Sequence, residues 1–207
     1  LEQAELLPSR KLLQADLQDQ FTKIKLQGLN TLGDLLNAIK TPPKLKAFAQ
    51  KSGVSEEYLT LLKREIGSCL PKAVNLQDFP GMDASVLTRL SLEGIKDTRQ
   101  LFDFVKTPAE RLALSRKTGI VENIILELTQ LTDVCRIRWV GANFARLLVD
   151  SEFNTVKKVA QADYAVVYRK LMEILDDKHY FKGKFGLNDM KLCVLAAKMV
   201  PDVIVYE

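Results

Sequence analysis

The sequence predicts an all-α protein built from tandem, stacked helical hairpin units, on three observations. The chain repeats itself: displaced by 66 residues, 17–66 falls without a gap on 83–132, with 12 identities in 50 positions. Ordinary composition would give about three. Each copy also carries paired helix start and stop signals. Finally, no segment shows the sustained period-two alternation that a strand needs. With 207 residues and a hydrophobic fraction of 47%, the chain can bury a sizeable core.

The elements follow in order. Leu26-Gln27-Gly28-Leu29 falls on Leu92-Glu93-Gly94-Ile95, so Gly28 and Gly94 each close a first helix. Lys40-Thr41-Pro42 falls on Lys106-Thr107-Pro108. Each triplet places an N-cap threonine before a proline at the first helical position, where the missing N–H costs nothing. The helices so opened run to Gly53 and Gly119, which suit the left-handed position past a helix end. Val54-Ser55 and Ile120-Val121 then lead into another helix, whose Leu59 and Leu62 correspond to Ile125 and Leu128.

A shorter recurrence sets Trp139-Val140-Gly141 on Phe79-Pro80-Gly81, with Leu13-Gln14-Ala15 as a weaker third copy. It predicts that Trp139 and Phe79 are equivalent and buried beside their glycines. Three units result: 1–66, 67–132 and 133–207. No Pro/Gly/Ser-rich linker separates them, so they should stack.

Charge and cysteine content narrow the function classes. Residues 1–66 carry 10 basic and 8 acidic side chains, 67–132 carry 8 and 8, and 133–207 carry 12 and 10. No third is the basic module expected where phosphate neutralisation drives binding. Cys69, Cys135 and Cys193 are widely spaced without a Cys-x-x-Cys pair, so they read as reduced core thiols. No apolar run reaches the roughly 20 residues of a membrane span. A cytoplasmic protein is expected, although Leu1 is not an initiator methionine and leaves room for a removed signal or anchor upstream.

The segment Ile137-Arg138-Trp139-Val140-Gly141-Ala142-Asn143-Phe144-Ala145-Arg146-Leu147-Leu148 resembles a helix-hairpin-helix element. Gly141 matches its second glycine, Ala145 its small helix-contact residue and Leu148 its core leucine. The order continues through Phe153–Ala160 and Leu171-Met172-Glu173 to Leu195-Ala196-Ala197-Lys198-Met199. From Asp133 to Met199 it is similar to the bacterial family called domain of unknown function 4332. The resemblance implies tandem helix-hairpin-helix-like units and no assigned chemistry. True elements of this kind grip the DNA backbone, because a glycine hairpin exposes N–H groups at a helix N-terminus. Their first glycine lets the phosphate approach, and here Trp139 stands in its place. A hairpin kept for packing is the expected use.

Arg136, Arg138, Gly141, Asn143 and Arg146 form the candidate nucleic-acid-binding set. Asp133, Asp150 and Glu152 interrupt the basic residues and favour a mixed solvated surface. In the loop 179–186, Tyr180, Phe181, Lys182 and Lys184 form a candidate partner-binding set, with aromatic anchoring of the loop as the plainer reading. His179 is the sole histidine, and HExxH, nucleophile-elbow, phosphate-loop and dinucleotide signatures are missing from the sequence. No catalytic residue, metal or cofactor is therefore expected. The reading is a non-enzymatic interaction or scaffold protein whose partner is another protein. Nucleic-acid backbone binding through Gly141 is the alternative.

Overall fold

Capping chemistry sets most of the helix starts. The structure, a computed structural model, describes residues 6, 8–29, 31–69, 72–177 and 179–207. Its chain divides into two units, Leu1–Leu70 and Pro71–Glu207.

In the first unit a 3-10 turn (Pro8–Gln14) precedes α1 (Leu17–Lys25), α2 (Leu32–Ala38), α3 (Pro42–Ser52) and α4 (Glu56–Cys69). The Thr31 hydroxyl accepts from the Asp34 N–H, and the Asp34 carboxylate accepts from the Thr31 N–H, so two orphan donors of α2 are satisfied reciprocally. Thr41 flanks α3 where the sequence puts it but makes no side-chain cap bond. Leu13, Leu35, Ile39, Leu59 and Leu62 fill the core. The buried Tyr58 hydroxyl donates to the Leu13 carbonyl at 3.1 Å, which fastens the opening turn to α4. Arg10 adds an ion pair to Glu65 beside a hydrogen bond to Ser68.

The second unit comprises a 3-10 turn (Leu76–Asp78), α5 (Ala84–Leu92), α6 (Thr98–Phe102), α7 (Pro108–Thr118), α8 (Glu122–Val134), α9 (Ala142–Asp150), α10 (Val156–Gln161), α11 (Tyr164–Leu175) and α12 (Leu187–Lys198). Helix α3 and helix α7 lie 66 residues apart at both ends, and Gly53 and Gly119 follow them at φ +70° and +67°. Thr107 and Glu110 form a capping box on α7. Helix α8 packs against α6, α7 and α9, and α12 packs against α10 and α11. A single apolar core runs from Leu76 to Ala197, so the second and third stretches of the sequence share one core.

Past α12 the chain straps itself to its own unit. The Val205 N–H donates to the Lys106 carbonyl at 2.8 Å. The Arg111 guanidinium donates to the carbonyls of Val105, Val205 and Tyr206 at 3.1, 2.9 and 3.2 Å. Ile204, within the strap, is buried. Among the described residues the sole β pairing is a single antiparallel bridge, Asn75 to Asp97. No helix among them is long and apolar enough to cross a membrane. No group of three or more His, Cys, Asp or Glu gathers among them as a metal site.

Candidate functional site

The turn between α8 and α9 holds one of the three non-glycine residues that stand at positive φ among the described residues. Ile137 and Val140 are buried, while Trp139 between them stands at φ +70° and is 48% exposed. An L-residue with a side chain loses roughly 1–2 kcal/mol in this left-handed region. The buried neighbours hold Trp139 there, and the Val140 N–H closes the turn on the Ile137 carbonyl at 3.1 Å.

This geometry corrects the equivalence of Trp139 with Phe79. Asp83 caps α5 by accepting from the N–H groups of Ser85 and Val86, and Gly141 occupies the matching position before α9. Aligning the two caps shifts the register to 58 residues. Phe79, 2% exposed, then falls on Ile137, 1% exposed, and Gly81, at φ +76°, falls on Trp139. The same displacement joins Gly94 (φ +77°) to Glu152 (φ +71°), and the N-cap Asp97 to the N-cap Thr155. Trp139 is thus not a buried core residue. It fills the left-handed position that a glycine fills in the preceding copy, and that backbone turns its ring outward.

The basic set around this turn divides. The Arg138 guanidinium lies over the Trp139 ring, 4.1 Å from its centre. Gly141 and Asn143 are exposed at the start of α9. Arg146 turns inward, with its guanidinium 2.7 Å from Glu127 and 3.8 Å from Asp150. Arg136 is also engaged: it pairs with Asp133 at 2.7 Å, donates to the Pro201 carbonyl and lies 5.2 Å from the Phe102 ring centre.

Asp133 departs from the mixed solvated surface expected of it. It is 3% exposed and accepts from Arg136, from the Val156 N–H at 3.0 Å and from the Tyr206 hydroxyl at 3.2 Å. Burial pushes its pKa above the usual carboxylate value, against the opposing pull of these partners. It joins α8, α10 and the C-terminal strap. The sequence signal for it, a carboxylate three residues before an arginine at a helix end, is common on solvated helices as well.

The loop 179–186 docks on α9, which follows that turn. The Asn143 side-chain amide donates to the Tyr180 carbonyl at 3.1 Å, and the Tyr180 hydroxyl donates to Asp150 at 2.8 Å. Burial, with Asp150 as acceptor, raises the Tyr180 pKa. Phe181 and Phe185 pack on Phe144 with ring centres 5.9 and 5.7 Å away. Tyr180 and Phe181 therefore anchor the loop, leaving Lys182 and Lys184 exposed. The structure brings the two candidate sets together at the start of α9. Their exposed members are Gly141, Asn143, Lys182 and Lys184, and Trp139, which belongs to neither set, is exposed as well.

Fold and site define an all-helical protein that displays an aromatic hairpin apex beside a basic loop. The family model described as domain of unknown function (DUF4332) matches residues 80–185, just over half of the chain, and the chain belongs to that family. No curated protein and no solved structure matches it.

Proposed function

We propose that the protein is a non-enzymatic helical interaction protein, and that Trp139 is the anchor it presents to a partner protein. The observation that carries this reading is the half-exposed tryptophan held on a left-handed backbone, with an arginine stacked on its ring. Tryptophan and arginine dominate the energetic centres of protein interfaces. A large ring fixed by its backbone also loses little freedom on binding. Lys182 and Lys184 on the adjoining loop suit a partner that surrounds an apolar pocket with carboxylates. The protein belongs in the cytoplasm on this reading, where thiols such as Cys135 and Cys193 stay reduced.

One observation favours the alternative, nucleic-acid backbone binding: Gly141 is exposed before α9 and offers no side chain to cap it. Against it, Arg136 and Arg146 are committed to ion pairs, and Trp139 takes the place of the first glycine that admits phosphate in the motif this segment resembles. The test is capture from nuclease-treated extract of the source cell with the wild-type chain and with Trp139→Ala. The reading predicts a discrete protein retained by the wild type and lost with the variant. Tight duplex binding that weakens steeply with salt, and is abolished by Lys182→Glu with Lys184→Glu, would favour the alternative instead.

A further inference from the structure

Away from the hairpin, a cleft of about 300 Å³ opens between residues 72–73, α6 and the end of α8. That volume lies at the lower end of small-molecule sites. Lys72, Arg99 and Arg136 supply three cations to its lining; Ala73, Phe102 and Cys135 supply apolar wall. No carboxylate among the described residues lines it. Arg136 is spoken for by Asp133, and it meets the negative end of the α8 dipole. Lys72 and Arg99 are exposed and make no ion pair with a described residue.

A second, independent feature is Thr132. It lines the cleft and is 1% exposed, yet its hydroxyl has no hydrogen-bond partner among the described residues. One turn earlier on the same helix, the buried Thr129 hydroxyl donates to the Ile125 carbonyl at 2.7 Å, which is the usual local satisfaction. A buried hydroxyl left unmade costs free energy that a bound acceptor or donor would recover. Cys135 contributes wall and no nucleophile, because burial pushes its thiol up to about 12.

We propose that this cleft binds a small organic anion with an apolar body. Its charged head sits between Lys72 and Arg99, its body lies against Phe102, Ala73 and Cys135, and the Thr132 hydroxyl hydrogen-bonds to it. This site is independent of the hairpin and stands whether or not Trp139 anchors a partner.

The test is a titration of the full chain followed by amide chemical shifts. The probes are phenyl phosphate and benzoate, with benzyl alcohol as the neutral control, each up to about 10 mM. Saturable shifts confined to 72–73, 98–102 and 132–136 are expected with the anions and not with the alcohol. The tighter of the two anions tells a phosphate head from a carboxylate. Arg99→Ala and Thr132→Val should each weaken binding at least tenfold, about 1.4 kcal/mol. Thr132→Val should also melt no lower than the wild type, since it removes an unsatisfied group while keeping the shape. Arg99 is exposed, so its variant tests the site even if the threonine variant folds poorly. No shift with either anion, equal binding of the alcohol, shifts scattered over surface lysines, or affinity indifferent to both substitutions would each overturn the proposal.

Discussion

Replacing Asp133 with alanine should be among the most damaging single changes in the second unit. The carboxylate is 3% exposed and serves three donors: Arg136 at 2.7 Å, the Val156 N–H at 3.0 Å and the Tyr206 hydroxyl at 3.2 Å. Removing it strands a buried backbone N–H, at about 1–3 kcal/mol, and leaves a mostly buried guanidinium without its counter-charge. Breaking a buried ion pair by deleting one partner costs about 3–5 kcal/mol, and Asp133→Ala should fall in that range. Arg136 retains the Pro201 carbonyl and the Phe102 ring, which keeps the loss from exceeding it. Urea denaturation of both proteins measures the difference; a loss under about 1 kcal/mol would refute the placement of Asp133 as a buried organiser. The pH dependence gives a second check. A carboxylate whose folded pKa is raised binds a proton more readily folded than unfolded. Its contribution to stability therefore grows as pH falls through the folded value towards the unfolded value near 3.9 and shrinks as pH rises. The stability difference between wild type and Asp133→Asn should move in the wild type's favour over that acidic window. Movement in the opposite direction would contradict burial as the dominant cause.

Three further outcomes are expected. Gly119 stands at φ +67°, and an added Cβ would lie 3.5 Å from the Arg89 guanidinium, so Gly119→Val should lose about 2–3 kcal/mol in thermal or urea melts; a loss under 1 kcal/mol would show that the turn tolerates a branched residue. Trp139→Ala should cost about 2 kcal/mol, roughly half the core range, because the ring is only half covered; a loss of 5 kcal/mol would return Trp139 to the core. Cys135 and Cys193 are buried with thiols pushed up to about 12, so mass spectrometry should find both unalkylated by iodoacetamide at pH 8 until the chain unfolds. Rapid labelling of either in the folded protein would contradict their placement.

The helix boundaries were the most legible part of the fold, because proline at a first helical position and glycine past a last one are local constraints. Thr107-Pro108 and Gly119 bracket α7 as the sequence indicates. The position of Trp139 was not legible by the same logic. A match of Gly141 to Gly81 is out of register by two residues, since glycine serves as an N-cap in one turn and as a left-handed residue in the other. The helix starts, Asp83 and Gly141, carry the true register. Arg136 and Arg146 read as surface cations because their near carboxylates, Asp133 and Asp150, make a pattern common on solvated helices, while their other partners are distant: Pro201 is 65 residues from Arg136, and Glu127 faces Arg146 across α8 and α9. The C-terminal strap has no periodicity to announce it. The cleft beside Thr132 depends on three separated segments, 72–73, 98–102 and 132–136, and such convergence is a property of packing.

Whether Trp139 anchors a partner protein is tested by site-specific photocrosslinking from position 139 in the source cell. A benzophenone amino acid replaces Trp139, and the same probe at Leu92, which is 82% exposed, serves as the control. A discrete protein adduct is expected from position 139, one that resists nuclease and does not form from position 92. An adduct that nuclease removes, or the same adducts from both positions, would contradict that anchoring.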